Sequence, residues 1–250
     1  MKKIICLFAV FLGLFGPTGQ ARSAAVEPIR WVTAEFPPFI WLQQNVPQGY
    51  AYELITAMSN QLGRQPALTF YPWSRVVKMS KEGKSYGLFP LARTPDRETS
   101  FKWLVPLSKV NYSFFGHHTG KISIEKATLE QLRGMRIGIL RGSSLEKDLQ
   151  ARNFRHIQYE KNYQDLLKML SLGGIDAIYA GYPMLISAIE EYGFRLEDFH
   201  TGVTLGSAEL YLASSLGLHE QEEKAWKTAY ETLLKDGTVI KLKNKYFSWE

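Results

Sequence analysis

The chain has 250 residues, 45% hydrophobic and 22% charged, with 30 Lys and Arg against 24 Asp and Glu for a net charge of +6. This balance excludes intrinsic disorder, a collagen repeat, a coiled coil and a polytopic membrane protein. At roughly 100–200 residues per domain, the length allows one large domain or two modest ones, with a core that needs no disulfide staples.

The amino terminus reads as an export signal. Met1-Lys2-Lys3 is basic, Ile4 to Phe15 is almost wholly apolar, and Ser23-Ala24-Ala25 supplies small residues for cleavage. An apolar run of about 7–15 residues before such a site is a secretory signal, whereas a membrane span needs about 20. We expect residues 1–25 to be removed. That removes Lys2, Lys3, Arg22 and the sole cysteine, Cys6, leaving 27 basic against 24 acidic residues, a net +3. No block of like charge remains, so neither nucleic acid nor an anionic membrane is expected as a partner. A mature chain without a thiol has no disulfide, thiolate metal site or cysteine nucleophile, and suits the bacterial periplasm.

Beyond residue 26 short apolar strands alternate with amphipathic helices. Ile29 to Thr33 reads as a strand running into Phe36-Pro37-Pro38-Phe39, where two prolines forbid regular structure. Leu54, Ile55, Met58 and Leu62 recur at helical spacing, and Gly63 stops that helix. Strands are expected over Leu68–Tyr71, Tyr86–Phe89 and Asn111–Phe115. Thr128 with Gln131 forms a capping box for a short helix that Gly134 closes. Arg136 to Leu140 is a strand, and Arg141-Gly142-Ser143-Ser144 turns into a helix carrying Leu145 and Leu149. Asn162 caps a helix with the face Tyr163, Leu166, Leu167 and Leu170, and Ile175 to Ala180 returns as a strand. Ala225, Trp226, Ala229, Tyr230, Leu233 and Leu234 form a last apolar stripe.

Such alternation means βα units around mostly parallel sheets, an α/β fold. Ligands of open sheets bind beyond the carboxyl ends of the strands. Three of those ends are chemically conspicuous: the Phe36–Phe39 loop, the Leu91–Arg97 loop and the Gly142–Ser144 turn.

Several short segments, in order, resemble one family. They are Phe36-Pro37-Pro38-Phe39, Gly49-Tyr50 before a helix ending in Leu62-Gly63, Thr94-Pro95-Asp96-Arg97, Ile137-Gly138-Ile139 with Arg141-Gly142-Ser143-Ser144, Gly174-Ile175-Asp176-Ala177, and Lys235-Asp236-Gly237-Thr238 with Lys245-Tyr246-Phe247. From about Ile29 to Phe247 the chain resembles the bacterial periplasmic solute-binding proteins of the polar amino-acid type, family 3. The resemblance implies a type II-like clam-shell of two α/β lobes joined by two hinge crossings. One lobe would take 26–115 plus 213–250 and the other 116–212, crossing near Phe115–His118 and Leu212–Ser215. It implies a monomer that captures a small carboxylate ligand and delivers it to an inner-membrane ABC permease, with no cofactor or metal.

By the same resemblance Arg97 clamps the ligand carboxylate, a role its planar fork suits. Ser143 and Ser144 meet that carboxylate from the second lobe, where a helix start offers N–H groups and hydroxyls; Ser144 is equally placed to cap the helix. Phe36 and Trp73 pack on the ligand body, while Phe39 is expected in the core. Two positions depart from the amino-acid binders. Gly181 stands where an aspartate commonly receives the ligand ammonium, and Phe89-Pro90-Leu91-Ala92 replaces small hydroxyl residues near the same group. Glu35 and Glu209 are candidate substitutes, and Arg93 is a candidate for a second anionic group. An amine-free carboxylate therefore stands beside the amino-acid default. Two other functions stay open: a dehydratase of a cyclic carboxylic acid on this fold, with Glu35, His156, Glu209 or His117-His118 as acid or base, and a soluble sensor module for a membrane receptor.

Overall fold

In the computed structural model, described over residues 26–120 and 123–247, strands and helices alternate along the chain; the expected signal segment lies outside the described residues. β1 (Arg30–Thr33) passes through the Phe36–Ile40 bridge into a hairpin, β2 (Trp41–Gln43) and β3 (Val46–Gln48), then α1 (Tyr50–Gln61). β4 (Ala67–Phe70), α2 (Trp73–Glu82) and β5 (Tyr86–Ala92) follow, and the long β6 (Lys102–His117) leaves this half. The second half holds α3 (Leu129–Arg133), β7 (Ile137–Leu140), α4 (Leu145–Ala151), β8 (Ile157–Glu160), α5 (Tyr163–Ser171), β9 (Ala177–Gly181) and α6 (Tyr182–Glu191). β10 (Phe199–Ser214) returns, and α7 (Glu220–Lys235) and α8 (Thr238–Tyr246) follow it.

The strands order as β4-β1-β5-β10-β6-β9-β7-β8. β1 pairs in parallel with β4 and β5, and β7 pairs in parallel with β8 and β9. Between these halves β6 and β10 form a long antiparallel ribbon, from Lys102 opposite Ser214 to His117 opposite Phe199. Leu210 to Ser214 of β10 bond to β5 at one end, and Tyr112–Phe115 of β6 bond to β9 at the other. Two parallel βα units therefore hang from opposite ends of one ribbon, the α/β architecture with two crossings that the resemblance implied.

The buried apolar residues of both halves join in one continuous cluster. Trp31 meets Phe89 and Trp226 edge-on, with ring centroids 5.7 and 5.0 Å apart. In the other half Phe114 stacks on Phe154 at 5.6 Å and on Tyr179 at 4.7 Å. Leu166, Leu167 and Leu170 are buried, as the helical spacing predicts. The Thr128–Gln131 capping box and the Asn162 cap both form. In α7 the expected stripe narrows: Trp226, Ala229 and Leu233 are buried, while Leu234 is 45% exposed. Gly49, ahead of α1, has φ of +119°, and a Cβ there would stand 2.5 Å from the Phe39 carbonyl oxygen. The Gly49-Tyr50 pair is thus fixed by close backbone approach.

Candidate functional site: a cavity between the lobes

The carboxyl ends of the parallel strands in both halves converge. Phe36 follows β1, Trp73 opens α2 just after β4, and Ala92 ends β5 before the loop carrying Arg97. From the other half, Ser143 and Ser144 follow β7, Tyr163 opens α5 after β8, and Gly181 ends β9. All seven residues singled out for ligand contact (Phe36, Trp73, Ala92, Arg97, Ser143, Ser144 and Gly181) line one cavity. Its free volume is about 40 Å³, against roughly 300–1,000 Å³ for sites that enclose a drug-sized ligand. Around this cavity the two lobes are closed on one another, with Arg97 bonded to the Gly142 carbonyl across it.

Arg97 is the single charged residue among those lining the cavity. It is 5% exposed, yet its guanidinium donates only to the Ala92 carbonyl at 3.4 Å and the Gly142 carbonyl at 3.2 Å. Among the described residues no carboxylate lies within ion-pair distance of it. Burial pulls its pKa down, against the raising influence of Asp96. A buried guanidinium with five N–H donors and two long bonds is an under-used cation. Its bond to Gly142 also ties the first lobe to the second.

Gly142 has φ of +82°, and a Cβ there would lie 2.9 Å from Ser74 Cα on the opposite lobe. Two demands therefore select glycine, a left-handed backbone and close approach across the cleft. Gly142→Ala should cost about 1–2 kcal/mol in thermal unfolding and weaken ligand capture besides, because Ser74 is a contact of the closed form. The capping expected of Ser144 is performed by its neighbour: Ser143 Oγ accepts from the Leu145 N–H at 3.2 Å, while Ser144 makes no side-chain capping bond. Ser144 lines the cavity and carries no capping duty.

Aromatic rings close the floor. Phe36 meets Trp73 edge-on at 4.9 Å and reaches Tyr163 across the cleft at 5.9 Å. Phe39 lies in the core, fully buried against Tyr50 and Phe247. The sequence analysis missed Tyr112, Tyr163 and Met184, which also line the cavity. Burial pushes the Tyr112 phenol up to about 12, although the Arg97 charge opposes this, so its hydroxyl keeps its proton. The Tyr163 hydroxyl donates to Met184 Sδ at 3.4 Å. Tyr163 and Met184 each sit in the first turn after a parallel strand, and applying the strand-end rule to β8 and β9 would have found them.

The proposed stand-ins for the missing aspartate lie elsewhere. Glu35 accepts the Leu42 N–H at 3.1 Å in the hairpin, and the exposed Glu209 accepts from Tyr211 Oη at 3.0 Å. Neither lines the cavity, nor do His117, His118 and His156. Arg93 is likewise committed, with a short bidentate pair to Glu98 and contacts to the Trp103 and Tyr211 rings at 5.3 and 5.4 Å. It borders a wider cleft of about 450 Å³ that adjoins the cavity at Tyr112, Ser144 and Leu145. Across that cleft Lys147 pairs with Asp96 at 3.0 Å, joining the lobes. The lysine is 70% exposed, and such pairs contribute about 0–1 kcal/mol. Lys147→Met should therefore change ligand affinity by less than about fivefold, with the difference vanishing in high salt.

Residues 29–248 match the profile of the bacterial extracellular solute-binding proteins, family 3. A probable amino-acid-binding protein, YxeM of Bacillus subtilis (strain 168), is 21% identical over 99% of this chain and 96% of its own. Among solved structures, a histidine kinase sensor domain with similarity to periplasmic binding proteins superposes with a TM-score of 0.79 at 21% identity, covering 89% of this chain and 96% of that one. An ABC uptake transporter substrate-binding protein of Streptococcus pneumoniae with bound histidine gives 0.78 at 18% identity, over 88% and 92%. No helix among the described residues is long and apolar enough to cross a membrane.

Proposed function

The chain belongs to the bacterial extracellular solute-binding proteins of family 3, and we propose that it captures a small carboxylate-bearing solute, an amino acid or an analogue, between its lobes for ABC-type uptake. The observation that carries this reading is Arg97, a buried cation without a carboxylate partner among the described residues, at the meeting point of both lobes. A ligand carboxylate supplies the missing charge. Arg97 then holds it bidentately, and the Ser144 hydroxyl and the neutral Tyr112 phenol stand ready to donate to it from the second lobe and the ribbon. Phe36 and Trp73 pack on the ligand body.

Capture needs motion, since the 40 Å³ of the closed form is too small for any such solute. We assign the hinge to Lys109–Asn111 and Ser207–Glu209. Tyr112–Phe115 pairs with β9 of the second half, while Leu210 and Tyr211 pair with Ala92 and Leu91 of β5 in the first, so we place the lobe boundaries ahead of Tyr112 and ahead of Leu210 in preference to 115/116 and 212/213. Hinge closure over a ligand is an established way of reporting occupancy to a partner. Export through cleavage near Ala25 and a monomeric state complete the proposal.

A thermal-shift screen of the 26–250 protein tests it, with amino acids, keto acids and aromatic carboxylates as ligands. A binder at 100 times its Kd adds about 2.7 kcal/mol, roughly 5–11 °C for a chain of this size. Stabilisation by one or more carboxylates without their chemical conversion is expected. Failure of all of them would remove the reading, and turnover of a hit would replace it with the dehydratase.

A further inference from the structure

Resting on the carboxylate reading of the cavity, we infer that the ligand is a carboxylate with an apolar or aromatic body and no α-ammonium group. Arg97 stands alone as a charge in the lining, so a ligand ammonium would enter beside a guanidinium with no acid to receive it. Gly181, at the cavity end of β9, supplies no acid, and its surroundings are tight. A Cβ at Gly181 would lie 3.2 Å from Met184 Sδ and 3.8 Å from both Met184 Cγ and Tyr112 Cε1. A side chain at Gly181 would therefore press on the Met184 thioether, which would have to give by a few tenths of an ångström.

The neighbouring acids lie outside the cavity lining, and each already faces a cation. Asp96 holds Lys147, while Asp148 pairs with Arg152 at 2.9 Å and accepts from Tyr179 Oη at 2.9 Å. The Ala92 and Gly142 carbonyls both accept from Arg97, at 3.4 and 3.2 Å, so an ammonium that shared them would sit against the guanidinium. In a site of low dielectric, an unpaired ammonium near a guanidinium is repelled as well as desolvated. The same walls favour a carboxylate attached to hydrocarbon: the anion meets Arg97 and the body meets Phe36, Trp73 and Met184.

Calorimetric titration with matched pairs differing only in the amine decides the matter: 3-phenylpropionate against L-phenylalanine, 4-methylpentanoate against L-leucine, and glutarate against L-glutamate. At least one deaminated member should bind, and its amino partner should bind tenfold or more weakly. The double variant Gly181→Asp with Met184→Ala supplies an acceptor and the room for it, and should shift that ratio at least tenfold toward the amino acid. Its melting curve without ligand shows whether it folds. If the amino member of every binding pair holds as tightly as its partner or more so, the inference is overturned while carboxylate capture stands. If the folded wild-type protein binds neither member of any pair, carboxylate capture itself fails, and the inference falls with it.

Discussion

Arg97→Met should abolish carboxylate capture while leaving the empty protein at least as stable as the wild type. The two effects share one cause. Arg97 is 5% exposed, its pKa is drawn down by burial, and its two hydrogen bonds, at 3.4 and 3.2 Å, go to carbonyls and not to an acid. In the closed form without ligand the guanidinium bears a desolvation cost that those bonds only partly offset, so an apolar side chain of similar length removes a penalty there. With ligand the same cation becomes half of a buried, bidentate ion pair, whose loss is worth about 3–5 kcal/mol, or roughly 100- to 5,000-fold in Kd. Arg97→Lys keeps the charge but not the fork, and should fall between the two. Titration of a confirmed ligand against both variants, with melting temperatures measured in its absence, checks the pair of outcomes. Full affinity in Arg97→Met would show that another group holds the anion.

Most of what positions Arg97 was legible in the residues, because the strand–helix alternation there is set by local chemistry. β1 and β7 follow from short apolar runs, α1 from its apolar spacing and the Gly63 stop, α4 from Leu145 and Leu149 after the Gly142–Ser144 turn, and α5 from the Asn162 cap and its leucine face. What was not legible depends on partners distant in sequence. β6 was expected only over Asn111–Phe115, yet it begins at Lys102 and runs through an exposed Pro106, where the register against β10 shifts. β10 itself is half-exposed for much of its length, with Gly, Thr and Ser where a buried strand would carry Val or Ile. Its structure comes from pairing with β6, not from its own pattern. α2 starts directly after Pro72 and buries only Trp73, Val76 and Ser80, too sparse an apolar face to read beside a short aromatic strand.

The cavity divides along the same line. Arg97, Ser143 and Gly181 came from motif position, and the geometry brings all seven chosen residues to one place. Position could not say that Glu35 and Glu209 turn away, that Met184 fills the space beside Gly181, or that Arg93 is locked to Glu98. Those are facts of side-chain direction across elements far apart in the chain. They also convert a missing aspartate from an ambiguity into a statement about ligand chemistry.

Glu222→Ala should destabilise the protein by about 3 kcal/mol, roughly 6–12 °C, without touching the cavity. Glu222, 5% exposed at the start of α7, holds together three elements that sequence distance keeps apart. It accepts the Ile29 N–H at 3.0 Å ahead of β1, the Trp226 Nε1–H at 2.8 Å, and both ends of the Arg64 guanidinium beyond α1. Truncation leaves two donors and a partly buried cation without their acceptor, the costly way to break such a network. The Arg64, Ile29 and Trp226 bonds hold the Glu222 carboxyl below the usual range although burial opposes them. A depressed folded-state pKa means that the stabilisation is complete above the unfolded value, near 4.3, and disappears as pH falls through the lower folded value. The gap in melting temperature between wild type and Glu222→Ala should therefore be constant near neutrality and narrow only in acid. Glu222→Gln, which keeps acceptors for Ile29 and Trp226 but loses the charge facing Arg64, should show a smaller deficit with the same acid convergence. A deficit that persisted unchanged to low pH would mean that packing around Trp226, and not the carboxylate, is what Glu222 contributes.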